Sequence, residues 1–232
     1  MTAVIRQIAA VTTAVLVAVG VGVAVKDKVI DAEPAASFTA PDRPTGPDAA
    51  GPSIEELITQ LQVVDELPFV PGYDREKFGR AWDKGRGAGA CDVRSDLLGV
   101  QLVNPTLSAS TGCVVGGQLH DPYTGEVVEY RPGSGTVEVD HVVPLLVAWR
   151  SGAADWPRDR RVEFANDTEW NLLATSREAN QAKQASTLGE WQPPDVAFQC
   201  EYAHNYLTVA AKYTLAVTTG DITTARTACT TE

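Results

Sequence analysis

The chain has 232 residues, 44% of them hydrophobic, and a formal net charge of −11. That length and apolar content suit one packed domain with appendages and exclude a disordered protein. Residues 67–232 carry 15 basic and 21 acidic side chains, a net charge of −6, which argues against nucleic-acid affinity through a generally positive surface.

Residues 8–25 form an uncharged apolar run of 18 residues, preceded by Arg6 and followed by Lys26 and Lys28. With no polar face for the solvent side of a globular helix, the run reads as an export signal or a membrane anchor. It just reaches spanning length, yet its Ala, Thr and Gly content makes it mild, so both forms stay open. No cysteine precedes Cys91, which removes the lipoprotein option. Pro34, Pro41, Pro44, Pro47 and Pro52 then mark an extended spacer. The expected organisation is a signal peptide or anchor over 1–31, a Pro/Ala-rich linker with a short helix over 32–66, and one domain over 67–232.

Four cysteines in an exported chain form an even set with three possible pairings, and we expect Cys91 with Cys113 and Cys200 with Cys229. A zinc site is disfavoured because no Cys-x-x-Cys pair exists. Residues 114–120 and 126–131 flank the turn sequence Pro122-Tyr123-Thr124-Gly125, which predicts a β-hairpin. After a second turn at 132–135, residues 136–141 alternate with strand period. Asp140 and His141 would then leave opposite faces, and Pro144 bends the chain just past them. Residues 144–150 and 157–164 read as short helices with proline in the first turn. Residues 171–174 read as a strand, after which Thr175 and Glu178 fit a capping box that starts a helix. Residues 200–217 and 221–229 read as a long and a short helix, with Gly220 as the stop between them.

Asp140-His141-Val142-Val143-Pro144, answered by Asn171, Asn180 and Lys183, most nearly states a chemistry. A hard oxygen ligand beside a near-neutral base is what phosphodiester hydrolysis needs at one place. Asn180 and Lys183, at i and i+3, share a helix face. Glu138 is on the Asp140 face of its strand and is a candidate extra metal or supporting contact. The bland alternatives are a turn histidine, an Asx-turn aspartate and solvated helix residues. His120 and His204 lack a paired carboxylate, and Trp82, Trp149, Trp156, Trp170 and Trp191 suit core packing before base stacking. No Gly-rich phosphate loop or nucleophile elbow occurs, which weakens a serine-hydrolase reading.

The Asp140 to Lys183 pattern resembles the HNH endonucleases of the His-Me finger (ββα-metal) superfamily, and its Asn171 to Asn180 spacing is similar to the HNH domain of RNA-guided DNA effectors. Segments Cys91 to Leu98, Asp121 to Gly125, Phe164 to Asp167 and Trp191 to Pro194 resemble an exported bacterial HNH family related to the C-terminal domain of GmrSD-type restriction enzymes. The resemblance implies Asp140 and Asn180 as ligands of one divalent metal, His141 as general base, Asn171 as anchor of the loop carrying it, and 5′-phosphate products. The oxygen ligands suggest Mg²⁺ or Mn²⁺.

The expected fold is α+β: a ββα-metal core with an N-terminal hairpin region and added C-terminal helices, stapled by disulfides. The expected function is an exported metal-dependent endonuclease acting on nucleic acid, DNA before RNA, with Lys183 and Arg160 facing phosphates. Arg150, Arg158, Arg161 and Arg177 could extend that patch, although acids are interleaved with them. The product would be secreted, or anchored to the cytoplasmic membrane facing outside. The alternative is a non-catalytic cell-envelope binding module on the same fold.

Overall fold

The computed structural model describes residues 52–80, 82 and 91–230. The 1–31 segment and most of the spacer lie outside the described residues.

A short helix α1 (Ile54–Ile58) begins at Ser53, whose hydroxyl and backbone form a reciprocal capping box with Glu56. It packs on the C-terminal helices, and the following strand β1 (Val63–Val64) pairs in parallel with a strand near the carboxyl end. The boundary expected at residue 66 therefore falls inside a packed region: Leu57 and Leu67 are in the main core, and Arg226 forms a two-pronged ion pair with Glu55.

After a 3₁₀ turn at Arg75–Phe78, α2 (Val93–Gln101) leads into a three-stranded antiparallel meander, β2 (Val103–Leu107), β3 (Val114–His120) and β4 (Val127–Tyr130). The β3–β4 hairpin turns where Pro122-Tyr123-Thr124-Gly125 stands. Gly125, at φ +72°, takes the left-handed conformation that the turn requires. The Cys91–Cys113 disulfide ties the start of α2 to the start of β3.

β5 (Val137–His141) pairs antiparallel with β6 (Leu172–Ser176), His141 opposite Leu172 and Val137 opposite Ser176. Between them run α3 (Leu145–Arg150), a 3₁₀ turn and α4 (Arg158–Ala165). β6 passes directly into α5 (Arg177–Lys183). These two strands and α5 are the expected ββα unit. Its helix starts one residue later than the capping pattern suggested, because Ser176, not Thr175, accepts the Ala179 N–H. The Thr175 hydroxyl is buried and donates to Asp121 Oδ1 at 2.7 Å.

The C-terminal part is α6 (Val196–Tyr213), β7 (Val217–Thr218) and α7 (Thr219–Cys229), with Cys200–Cys229 stapling the helices. Here two expectations are corrected. The long helix ends at Tyr213 with Thr214 in the left-handed region, because the next residues are taken by strand-type bonding: Val217 N–H donates to Gln62 O and Ala216 N–H to Ser151 O. Gly220 lies inside the first turn of α7. Its backbone would come within 2.8 Å of a Cβ added at Gly189, so the close approach requires glycine at Gly189.

The main core gathers Tyr123 from the hairpin turn, Trp149 from α3, Phe164 from α4 and Tyr202, Tyr206 and Tyr213 from α6. A second cluster fills the space between α2, the meander and β5–β6.

Candidate functional site

Strand alternation divides β5 between two environments. Glu138 and Asp140 face α5, while Val139 and His141 face the other way.

On the α5 side, Asp140 is 6% exposed. Its Oδ2 accepts the Tyr123 hydroxyl at 2.7 Å and lies 2.8 Å from the Lys183 ammonium. Lys183 has no exposed surface and also donates to the His141 carbonyl at 2.8 Å. Burial pushes this ammonium below its ordinary pKa, and the Asp140 charge opposes the shift. Burial and the Asp140 charge together hold the Tyr123 hydroxyl well above its usual value, so it remains a donor. Asn180 Nδ2 donates to Glu138 Oε2 at 2.7 Å, and Arg177 lies 3.8 Å from the same carboxylate. Asn180 and Lys183 thus address alternate acids of β5.

On the opposite side, the His141 ring is nearly buried and its Nε2 is 3.0 Å from the Ala165 carbonyl oxygen. A carbonyl only accepts, so Nε2 carries the hydrogen and Nδ1 keeps the lone pair. Burial is the main cause pushing the imidazole down to about 3; the Ala165 bond resists, and the Arg75 and Lys183 charges add to the fall. The ring is therefore neutral at neutral pH. Trp82 lies parallel to it, with centroids 6.3 Å apart.

Asn171, wholly buried, joins the two walls around this ring. Its Oδ1 accepts the Val143 N–H at 2.9 Å, its Nδ2 donates to Phe164 O at 3.1 Å, and its own carbonyl accepts the Val142 N–H. The loop after His141 and the end of α4, which bears Ala165, are fixed to one amide.

His141 opens onto a cleft of about 490 Å³ whose wall includes Arg75, Glu76, Phe78, Arg80 and Arg158. Two expected phosphate contacts are not on it. Lys183 is enclosed by its pairing with Asp140. Arg160 donates to Tyr213 O at 2.8 Å and stacks over Trp156, with 4.6 Å from its guanidinium carbon to the ring centre. Arg161 is likewise spent on the carbonyls of Lys77, Ala153 and Trp156, and Arg150 on those of Leu67 and Pro68. Of that arginine group, Arg158 lines the cleft. Sequence reasoning missed Arg75 and Arg80, which no motif marks. It read Tyr123 only as a turn residue, although a buried tyrosine hydroxyl needs a partner.

Among the described residues no three His, Cys, Asp or Glu side chains converge as a metal site. The oxygen donors available are Glu138, Asp140 and the Asn180 amide, on facing surfaces of β5 and α5. Their chemistry fits a hard dication that keeps much of its water. Asp140 Oδ1 and Asn180 Oδ1 bond to no other described residue, while Lys183 competes for Asp140 through Oδ2.

The fold and site define an α+β protein whose ββα unit presents a neutral histidine to a cleft. Residues 93–221, more than half of the chain, match the family described as GmrSD restriction endonucleases, C-terminal domain, and the chain belongs to that family. It is also 32% identical over 191 residues to an uncharacterized secreted protein of Arthroderma benhamiae, an alignment covering 82% of this chain and 87% of the relative. The likeness thus extends to a fungus, beyond the bacterial family expected. No solved structure matches.

Proposed function

We propose that this protein is an exported, metal-dependent endonuclease that hydrolyses phosphodiester bonds of nucleic acid, DNA before RNA, with His141 as general base. The observation that carries the reading is the bond from His141 Nε2 to Ala165 O at the cleft, which leaves a neutral ring with Nδ1 free to take a proton. Membership of a family of restriction-endonuclease domains supports the reaction class.

In this mechanism Nδ1 takes one proton from a water molecule, and the water oxygen attacks phosphorus in line with the departing 3′ oxygen. The bond from phosphorus to that oxygen breaks, and solvent returns a proton to it, leaving a 5′-phosphate and a 3′-hydroxyl. Asn171 holds the ring's two supports together, so the base does not have to reorganise during attack. Asp140 and Asn180, with Glu138 nearby, would hold Mg²⁺ or Mn²⁺ on the α5 side of β5. Because Asp140 and His141 are the last two residues of that strand, a phosphate lying across the strand end would meet both, and the ion would supply charge stabilisation to the phosphate and the departing oxygen.

The two disulfides and the secreted relative support export. The apolar run 8–25, and with it the choice between cleaved and anchored forms, lies outside the described residues. Among the described residues no helix is long and apolar enough to cross a membrane.

Plasmid DNA and an RNA transcript incubated with Mg²⁺, Mn²⁺ or EDTA test the reading. We expect metal-dependent cutting by the native chain and a loss on the order of 10²-fold or more in His141→Ala. Near-normal turnover in that variant would overturn it. The Asp140–Lys183 pair favours a second reading, a non-catalytic envelope-binding module, because the ammonium already compensates the acid. Absence of hydrolysis under every metal condition, with a folded protein, would select that alternative.

A further inference from the structure

Of the lysine and arginine side chains among the described residues, only those of Arg75, Arg80, Arg131 and Arg158 make no hydrogen bond or ion pair to another described residue. The rest are each tied to a carbonyl, a hydroxyl or a carboxylate. Three of those four, Arg75, Arg80 and Arg158, line the cleft onto which His141 opens. All three side chains are exposed, so their donors are available to a ligand. Glu76 is the single carboxylate among the described residues that line the cleft.

We infer that Arg75, Arg80 and Arg158 form a phosphate-binding wall that grips the sugar-phosphate backbone of one nucleic-acid strand next to His141. This deepens the nuclease reading and rests on it for the position of the bond to be cut. Guanidinium groups match phosphate oxygens in paired hydrogen bonds, and each can address a different phosphate or a different edge of one. At about 490 Å³ the cleft is in the size range of a small-ligand pocket, room for part of one strand. Among the described residues, its lining is otherwise apolar apart from Glu76 and His141, with no amide side chain there to read base edges. Grip by charge and little sequence preference follow.

Two features of placement support a ligand role over a stabilising one. Arg158 is the first residue of α4, where the positive end of the helix dipole disfavours a cation. An anion in the cleft would be attracted by both. Arg75 and Arg80 precede residue 93, where the match to the restriction-endonuclease family begins. The segment carrying them packs against α4 and α3, bringing charge from outside the matched region to the histidine within it. In a chain of net charge −11, such a wall confines positive potential to the place where the strand must enter.

The test uses the full chain. Binding of fluorescein-labelled single-stranded oligonucleotides of two unrelated sequences is measured against salt on the His141→Ala background. The same measurement is made with Arg75→Gln, Arg80→Gln and Arg158→Gln added together. Each lost contact should lower the log-log salt slope by roughly 0.7, hence about 2 for the triple change, equally for both sequences. Arg131→Gln, which removes the other unpartnered cation among the described residues, should leave the slope unchanged. With His141 intact, the triple change should raise KM on the order of 10-fold or more while kcat moves much less, as for lost uniform binding. Thermal unfolding checks that each variant folds; the single substitutions serve if the triple does not.

An unaltered slope and KM in a folded triple variant, while the native chain cuts nucleic acid, would overturn the wall and leave the nuclease reading intact. A lowered slope in a chain that cuts nothing would do the reverse, supporting the wall and sinking the nuclease.

Discussion

No hydrogen bond joins the side chains of Asn171 and His141, yet the Asn171 amide holds both supports of the His141 ring. It binds Val143 N–H on one side and Phe164 O on the other, and Phe164 precedes the Ala165 whose carbonyl fixes Nε2. The asymmetry of the amide, acceptor at one end and donor at the other, is what the position uses.

That asymmetry gives the first prediction. Asn171→Asp keeps the acceptor for Val143 but removes the donor to Phe164 and places a charge where nothing compensates it. Asn171→Ala strands both backbone groups. We expect each to destabilise the fold by roughly 2–4 kcal/mol, since buried unmet hydrogen bonds cost about 1–3 kcal/mol apiece, and to lower kcat. Urea denaturation and single-turnover kinetics check this. Full stability in Asn171→Ala would show that the amide anchors nothing.

The second prediction concerns acid. The folded-state pKa of His141, about 3, lies below its ordinary 6.5. Below pH 6.5 the unfolded chain therefore binds a proton that the folded one refuses. Stability contributed by the neutral ring is full above pH 6.5 and declines as pH falls toward 3. At about 1.4 kcal/mol per pH unit, roughly 3 kcal/mol is lost by pH 4. Denaturation of the metal-free protein in EDTA should show this slope, and His141→Gln should flatten it. Identical profiles for the two proteins would mean that the ring is solvated.

The third prediction is that Asp140→Ala and Asn180→Ala each weaken Mn²⁺ binding measured by calorimetry, because each removes an oxygen donor from a shell filled largely by water. The motive is that each side chain has one oxygen free of described partners on the shared face of β5 and α5. Unchanged affinity in both variants would leave the proposed ligands without support.

How much of this was legible beforehand differs from element to element. The ββα unit was readable because alternation through Val137, Val139 and His141 and the proline-headed helices that follow are local patterns. The hairpin at Gly125 was readable for a similar reason; the even cysteine count implied two disulfides, but it left three pairings open, between which only the folded chain decides. The end of α6 was not: Leu215 to Thr218 carry no breaker, and they leave the helix because strand β1, more than 150 residues earlier in the chain, supplies backbone partners. The one-residue shift of the α5 cap has a comparable cause. Thr175 could have capped, but Asp121 from the distant hairpin claims its hydroxyl. At the site, the motif marked Asp140, His141, Asn171 and Asn180 by type and spacing. It carried no information on Tyr123, Arg75 or Arg80, which arrive by tertiary packing.

Lys183 shows the same limit most sharply and carries the last prediction. From the sequence it was a helix lysine one turn past Asn180, suited to a phosphate. In the structure it has no exposed surface and lies between Asp140 and the His141 carbonyl. Lys183→Met, close in length and apolar, would leave Asp140 without its cation and the His141 carbonyl without a donor. Breaking a buried pair by removing one partner costs about 3–5 kcal/mol, whereas a solvated lysine replaced at the surface costs within about 0.5 kcal/mol. Equilibrium denaturation of Lys183→Met against the native chain decides between them. The double variant Lys183→Met with Asp140→Leu should recover much of the loss, because neither buried charge then remains. Salt dependence of oligonucleotide binding should be unaltered in a Lys183→Met protein that stays folded, since its ammonium never reaches the cleft. A stable Lys183→Met protein with a reduced salt slope would instead put the lysine on the phosphate and contradict the buried pair.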